Sequence, residues 1–396
     1  MATRLTFSIM THMASLTTGL EDFLAQYAKS KFVDVTLLGL DYATGWQEFV
    51  RNAIHGSNLQ VSEVGSTWLN DFIAMNALRP FSPAEVRNMG GAGAFAPGLW
   101  KIGALTEQNV FAIPWMTDIR FVFYRRSQLS KAGLNPETAF STIEQFDQTL
   151  QALQSVGDMP PFVVPTQKSH LTLHNLAMWI WSKGKDFLDE SGKRVLLMDP
   201  DVQDAMRAYF SLGRFLVPEL RNLSDEASDS AFAQGRAAVI MAGPWMLNLI
   251  SNSPNLAADT GIAVAFTQPY MGGSTLVIWK NVIRDRESAE LVTSLASREN
   301  QAAFAHAAGQ LPARMDTMPE FPLPDPSYQK VIDSGFKNGR TLPNLPLWGM
   351  IEERMVNSIA RVWADLLENP EADVDTVINH HLKLLGNRLN LVLSNS

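Results

Sequence analysis

The 396-residue sequence contains no cysteine. That single absence excludes disulfides, thiolate catalysis and thiolate metal sites, and it leaves the compartment open, because a cysteine-free chain tolerates either redox environment. Charge is sparse, at 18% of residues, and its net value is −8. Nucleic-acid binding is not expected, since neutralising phosphates takes clustered Lys and Arg. No uninterrupted apolar run reaches the ~18 residues needed to cross a bilayer. Repeats and low-complexity tails are missing. The one glycine cluster, Gly90-Gly91-Ala92-Gly93, lacks the Gly-Lys-Ser/Thr ending of a phosphate loop and reads as a mobile loop.

Catalytic signatures are equally scarce. Neither a Gly-x-Ser-x-Gly elbow nor a dinucleotide fingerprint occurs. A glycoside hydrolase needs two carboxylates flanking the scissile bond; Asp118 is available, but no partner stands out. His170 and His174 are four apart and share one helix face, yet no Glu follows the first and no third ligand is evident. Metal, cofactor and enzymatic activity are therefore not expected. His380-His381 reads as a helix surface.

What is present is a core, with 46% hydrophobic residues, and an α/β grammar. Leu5, Phe7 and Ile9 alternate as on a half-buried strand. Leu16, Leu20, Phe23, Leu24 and Tyr27 follow at helical spacing, with Thr17 or Thr18 placed to cap. Val33–Leu38 reads as a strand, and Trp46, Phe49, Val50 and Ile54 as a helix. Further strands are expected at Val61–Val64, Val110–Ile113, Phe121–Tyr124, Ala238–Met241, Ile262–Ala265 and Leu276–Ile278. Ser141-Thr142-Ile143-Glu144 has a capping-box pattern, and Asp199-Pro200 opens a helix through Phe215. Strands alternating with helices predict mainly parallel sheets. Past the proline-rich stretch Pro319 to Pro326 the strand signals stop, and two long amphipathic helices follow, over about 350–366 and 374–393. Thr3 to Ile9 already reads as a strand, so no export signal is recognised; the chain is either cytoplasmic or a mature exported form.

Several ordered segments resemble the family of extracellular solute-binding proteins that includes maltose-binding protein. They are Gly65-Ser66-Thr67-Trp68-Leu69-Asn70-Asp71-Phe72, followed by Asn76-Ala77-Leu78-Arg79-Pro80-Phe81, then Ala112 to Arg120 running into Phe123-Tyr124-Arg125. Phe232-Ala233-Gln234-Gly235-Arg236-Ala237-Ala238 with Gly243-Pro244-Trp245 is the most characteristic piece. Met271-Gly272-Gly273-Ser274, Gly309 to Arg314 and Leu342 to Trp348 complete the set. The resemblance implies a two-lobed α/β architecture, the type II periplasmic-binding-protein fold, with a hinge and C-terminal helices. Its lobes would be roughly residues 1–113 plus 268–312, and 117–264 plus 318–396. The chain would cross between them near Pro114, Gln268 and Arg314, and such short crossings suit hinge closure.

The implied function is capture of a carbohydrate in an interlobe cleft for an ABC importer. A membrane permease would be the partner, and the protein a monomer outside the cytoplasm, free or lipid-anchored. A phosphorylated polyol, an anion or a polyamine in the same fold is the nearest alternative. Sugars need flat aromatic surfaces and planar hydrogen-bonding groups. Of 10 tryptophans, Trp68, Trp115, Trp245 and Trp348 fall on family positions that face the cleft. The other six default to packing, with Trp181 near enough to reach the rim. Asp118 and Arg120 pair an acceptor with a rigid donor fork, or else form an ion pair beside the hinge. Arg314 reads equally as ligand contact or hinge support. Thr11, His12, Tyr42, Ser66 and Thr67 follow strand ends, where open α/β sheets bind ligands. Gly272 and Gly273 permit close backbone approach, and His174 and Asn175 fall near a ligand-contacting family segment.

Overall fold

The protein was analysed as a computed structural model that describes residues 3–11, 14–56, 59–280 and 282–394. Its strands are, in chain order, β1 (Thr3–Met10), β2 (Val33–Leu40), β3 (Val61–Gly65), β4 (Ala104–Thr106), β5 (Asn109–Val110) and β6 (Ala112–Ile119). They continue with β7 (Phe121–Arg125), β8 (Phe162–Val163), β9 (Val239–Ala242), β10 (Thr260–Ala263), β11 (Met271–Ile278) and β12 (Leu311–Pro312).

The chain folds into two compact units. The first takes Met1–Asp118, Met271–Pro322 and Asn344–Gly349; the second takes Ile119–Tyr270, Leu323–Pro343 and Met350–Ser396. These divisions lie several residues beyond the positions expected from the sequence, and Pro114 sits inside β6. The short return of Asn344–Gly349 to the first unit was not foreseen, so the chain changes unit five times, after Asp118, Tyr270, Pro322, Pro343 and Gly349.

The first unit is built on a six-stranded sheet in the order β12-β6-β11-β3-β1-β2. Leu5, Phe7 and Ile9 of β1 are each at most 1% exposed, and burying side chains of this size contributes roughly 1.5–3 kcal/mol apiece. The helix Ala14–Lys31 turns Leu16, Leu20, Leu24 and Tyr27 inward. Thr17 and Thr18 lie inside that helix and do not cap it.

The second unit carries a four-stranded sheet, β10-β7-β9-β8. Every residue of β7 and β9 is buried, and apart from Arg125 at the end of β7 both read as apolar runs.

The expectation of mainly parallel sheets does not hold. β1 runs parallel to β2 and β3, and β8 to β9. β11 on β3, β12 on β6, β10 on β7 and β7 on β9 are antiparallel. Alternation of apolar residues records which face is buried, not the direction of the neighbouring strand.

Local signals were displaced rather than absent. Thr142, not Ser141, caps its helix by accepting from the Gln145 amide at 3.1 Å. Asp199 caps the helix Pro200–Phe210 as expected, but the last turns to Phe215 tighten into a 3₁₀-helix. The expected strand over 110–113 divides between β5 and β6. The glycine cluster is no open loop: the Gly91 amide donates to Val86 O at 3.0 Å, closing the helix Pro83–Asn88, and a 3₁₀ turn follows at Ala92–Ala94. The two C-terminal helices, Trp348–Glu368 and Val374–Leu393, are present, and no strand follows β12 among the described residues.

Candidate functional site

Within the second unit, residues from four distant stretches of chain meet around one guanidinium. Arg120 lies between the end of β6 and the start of β7, and its amide donates to Tyr270 O at 3.0 Å. Its side chain is 1% exposed. Nη2 donates to His174 Nδ1 at 2.9 Å, and Cζ stands 4.9 Å from the Trp245 ring and 5.4 Å from the Tyr270 ring. The His174 and Tyr270 rings stack at 3.9 Å with only 10° between their planes.

A guanidinium only donates, so His174 Nδ1 must be the acceptor and Nε2 carries the ring hydrogen. Burial, then Arg120 and His170, hold the His174 pKa well below its ordinary value. The ring is therefore neutral. Its 3.8 Å approach to the buried Glu352 carboxylate is a contact of a neutral imidazole and not an ion pair.

Trp245 is placed by the turn out of β9. Gly243 and Pro244 follow that strand, and Trp245 begins the helix Trp245–Ser251. The indole folds back over Gly243 so closely that a Cβ there would overlap both the ring and Arg120 Nη1. At the ring's other end, Nε1 donates to Asp229 Oδ2 at 2.7 Å. Asp229 projects from the helix Asp225–Ala233, which Ser224 caps through the Ala227 amide. One turn earlier, Asp225 Oδ2 accepts from Ser169 Oγ at 2.8 Å. Burial is the main force pushing the Asp229 carboxyl up to about 7; the Trp245 bond and Arg120 oppose it, while Asp225 and Glu226 add to it. Burial raises Asp225 as well.

The outcome is a half-buried indole backed on one face by a cation and held at its N–H end by a carboxylate. Such a ring presents a polarised apolar surface to C–H groups, and cation–π attraction contributes about 0.5–2 kcal/mol to keeping it in place. A separate groove of about 540 Å³, lined among others by Glu144, Asp147, Asp204 and Arg214, shares no residue with this stack.

The other residues singled out from the sequence are dispersed. In the first unit, Trp115 is fully buried and meets Phe7 and Phe304 edge-on at 5.9 and 6.3 Å. Trp68 is buried in a cluster with Trp46 and Phe49. Trp348, also fully buried, opens the helix Trp348–Glu368. The Ser66 amide donates to Gly273 O at 2.9 Å, tying two predicted positions together, while Thr67 beside it is half-buried. Gly272 is buried; Gly273 has φ 143°, and any Cβ there would strike the Met116 carbonyl. Thr11 binds Leu40 O through both its amide and its hydroxyl. Asp118 is half-buried near the end of β6.

Arg314 spends its guanidinium inside the first unit. It bonds to Asp316 through Nε and Nη2 and to the Met89 and Ala296 carbonyls through Nη1. Asn175 is fully buried and, with Trp363, neighbours the Tyr209 hydroxyl, one residue from His174 but apart from the stack. His12 lies outside the described residues, and Tyr42 opens the helix Tyr42–His55 with its side chain outside them.

Asp229, Asp225, Tyr270 and Glu352 were not foreseen. The four-residue spacing of the two aspartates put them on one helix face in advance, and Tyr270 directly precedes the Met-Gly-Gly segment. Among the described residues, no group of three or more His, Cys, Asp or Glu is placed to hold a metal ion, and no helix is long and apolar enough to cross a membrane.

Comparison with known proteins agrees with this architecture. The chain is 20% identical over 327 residues to a putative binding protein of Brucella abortus, spanning 80% of this chain and 77% of that protein. An ABC transporter solute-binding protein from Thermotoga lettingae, solved with α-D-tagatose, has the same fold at a TM-score of 0.82. It is 20% identical, with 99% of this chain and 100% of that one covered. Maltose-bound MalE3 of T. maritima gives 0.82 at 19% identity over the same shares. Residues 13–302 match the family model described as bacterial extracellular solute-binding protein. By that match, which takes in most of the chain, the protein belongs to the bacterial extracellular solute-binding protein family.

Proposed function

We propose that this protein captures a carbohydrate, a mono- or oligosaccharide, for an ABC importer, and that the ligand stacks on Trp245. The observation that carries the reading is the seat of that indole, backed by Arg120 and held by Asp229. Sugars offer an apolar face of C–H groups that such a ring accepts, and a rim of hydroxyls for the polar groups around it. The family and fold are those of transport solute-binding proteins, not of enzymes. The proposal places the protein outside the cytoplasm as a monomer presenting its ligand to a membrane permease. It includes the ligand-linked closure expected about the interlobe crossings, read as a fall in radius of gyration on adding the ligand.

A thermal-shift panel of mono- and oligosaccharides, polyols, glycerol phosphate and polyamines tests it. Ligand at 100 times its dissociation constant adds about 2.7 kcal/mol to the folded state, or roughly 5–10 °C for a unit of this size. A shift with saccharides that Trp245→Ala abolishes supports the reading. A shift only with phosphates or polyamines overturns the carbohydrate.

A further inference from the structure

Trp245 is held from two sides by groups of opposite charge, and only one of the two can change its charge near neutral pH. A guanidinium does not lose its charge in proteins. Asp229 is buried and gives Oδ2 to the indole N–H at 2.7 Å. The charged and titratable groups around it are Arg120 from the β6–β7 junction, Asp225 and Glu226 from its own helix, and, beyond Arg120, the neutral His174. Asp225 stands one helical turn away on the same face, and its Oδ1 is buried without a hydrogen-bond partner.

A proton on Asp229 relieves the repulsion from Asp225 and changes the bond to the indole. On ionised Asp229, Oδ2 receives a charge-assisted bond from Trp245, stronger than a neutral one. Once Asp229 is protonated, the acceptor loses its charge, and the charge-assisted bond falls to the strength of a neutral pair. The hold on the indole weakens, and the ring depends more on its contacts with Arg120 and Gly243.

We propose that Asp229 is a positioning residue for ligand capture: its ionised carboxylate holds the Trp245 ring in the seat where the ligand stacks, and uptake of one proton loosens that hold. The ligand affinity of this protein is thereby proton-sensitive, full in mildly alkaline solution and falling under mild acid. This rests on the reading of Trp245 as the stacking surface. Geometry carries the proposal, and the elevated Asp229 carboxyl, at about 7, puts the transition in an accessible range.

The first test needs no ligand. The indole N–H resonance of Trp245, identified by its loss in Trp245→Phe, should titrate with a midpoint near 7 in the wild type. In Asp229→Asn, which keeps an acceptor oxygen but no titrating charge, it should stay flat. Asp225→Asn removes the repulsion and should move the midpoint to lower pH. A flat wild-type resonance, or an unchanged titration in Asp229→Asn, overturns the proposal.

The second test measures the dissociation constant for whichever of maltose, D-tagatose or D-mannitol binds at pH 8. A midpoint of about 7 with full coupling predicts about 30-fold weaker binding at pH 5.5 in the wild type, and less than about 3-fold weaker in Asp229→Asn. An equal loss in both proteins refutes the role of Asp229. If none of the three compounds binds at pH 8, the carbohydrate reading fails for these probes, and the indole titration still decides whether Asp229 holds the ring.

Discussion

Gly243→Ala adds one methyl group at the most crowded point of the site. The new Cβ overlaps the Trp245 ring and Arg120 Nη1 together, so one of them must leave its place. If both were forced to stay, overpacking would cost about 1–3 kcal/mol. If the ring swings out, the protein loses the contact with Arg120, about 0.5–2 kcal/mol, and the bond to a buried carboxylate, about 1.5–3 kcal/mol. Across the two routes the loss of stability is about 1–5 kcal/mol, or roughly 2–20 °C in Tm for a unit of this size. They differ in what happens to Asp229. The Trp245 bond pulls its carboxyl down against burial, so a released ring lets it rise further, whereas a trapped ring leaves it unchanged. We expect release, because an exposed direction is open to the half-buried indole while Arg120 is enclosed. Ligand affinity should then drop by at least 10-fold, the equivalent of about 1.4 kcal/mol. Calorimetry of the ligand, differential scanning of the free protein and the indole resonance together read out the three consequences. A variant with wild-type Tm and affinity would show that the ring does not lie against Gly243, and the account of the seat would fall with it.

Three further substitutions separate packing from binding. Arg314→Met strips donors from the Met89 and Ala296 carbonyls and from Asp316; it should cost about 2–4 kcal/mol in urea unfolding and leave the affinity of the folded protein unchanged. Reduced affinity at full stability would instead restore Arg314 as a ligand contact. Trp115→Phe vacates buried space beside Phe7 and Phe304 and should cost about 1–3 kcal/mol, again with ligand affinity intact by calorimetry. Asp229→Asn changes the pH dependence of stability: a carboxyl raised from an unfolded value near 3.9 to about 7 binds more protons folded than unfolded. The wild type should therefore lose stability as pH rises from about 4 to 7, by up to about 4 kcal/mol from this group; the variant should show a flatter profile and exceed the wild type at pH 8, and parallel profiles would refute the assignment.

Particular residues show what the sequence disclosed and what it withheld. Trp245 was legible because Gly-Pro after a buried strand fixes where the next helix begins, and its first residue follows from that. Trp115 and Asp118 lie on one strand, β6. On β6, residues three apart point to opposite faces, so Trp115 and Asp118 were never able to share one; Trp115 goes into the core with Phe7, while Asp118 stays half-buried. Arg120 was anticipated, but its partners were not, since Tyr270 and His174 reach it from 150 and 54 positions away along the chain (270 − 120 and 174 − 120). Asp229 was passed over because an aspartate in Asp-Glu-Ala-Ser-Asp-Ser reads as a solvated helix face. Only the fold brings the indole of a residue 16 positions later onto it. Strand direction was invisible for a similar reason: β11 and β12 rejoin the first sheet after an excursion of about 150 residues, and nothing in their own alternation says from which end they arrive.

The cost of the Trp245 seat and its proposed use have one origin. A free indole on a short helix samples several rotamers, and a ligand that stacks on it must first freeze one, at about 0.5–1.5 kcal/mol. Holding the ring beforehand removes that cost from binding and transfers it to the fold. Here the transfer takes the form of a carboxylate kept out of water beside a second one, a arrangement that burial opposes at every pH where both are ionised. Arg120 offsets part of that penalty by facing both carboxylates, and its own burial is in turn relieved by the His174 acceptor and two aromatic faces. No member of the set can be replaced by an apolar residue without stranding another, which is the signature of a network kept for position rather than for stability. A variant that makes the fold more stable by neutralising Asp229 should accordingly bind its ligand less well, and gains in both quantities together would contradict this reading of the site.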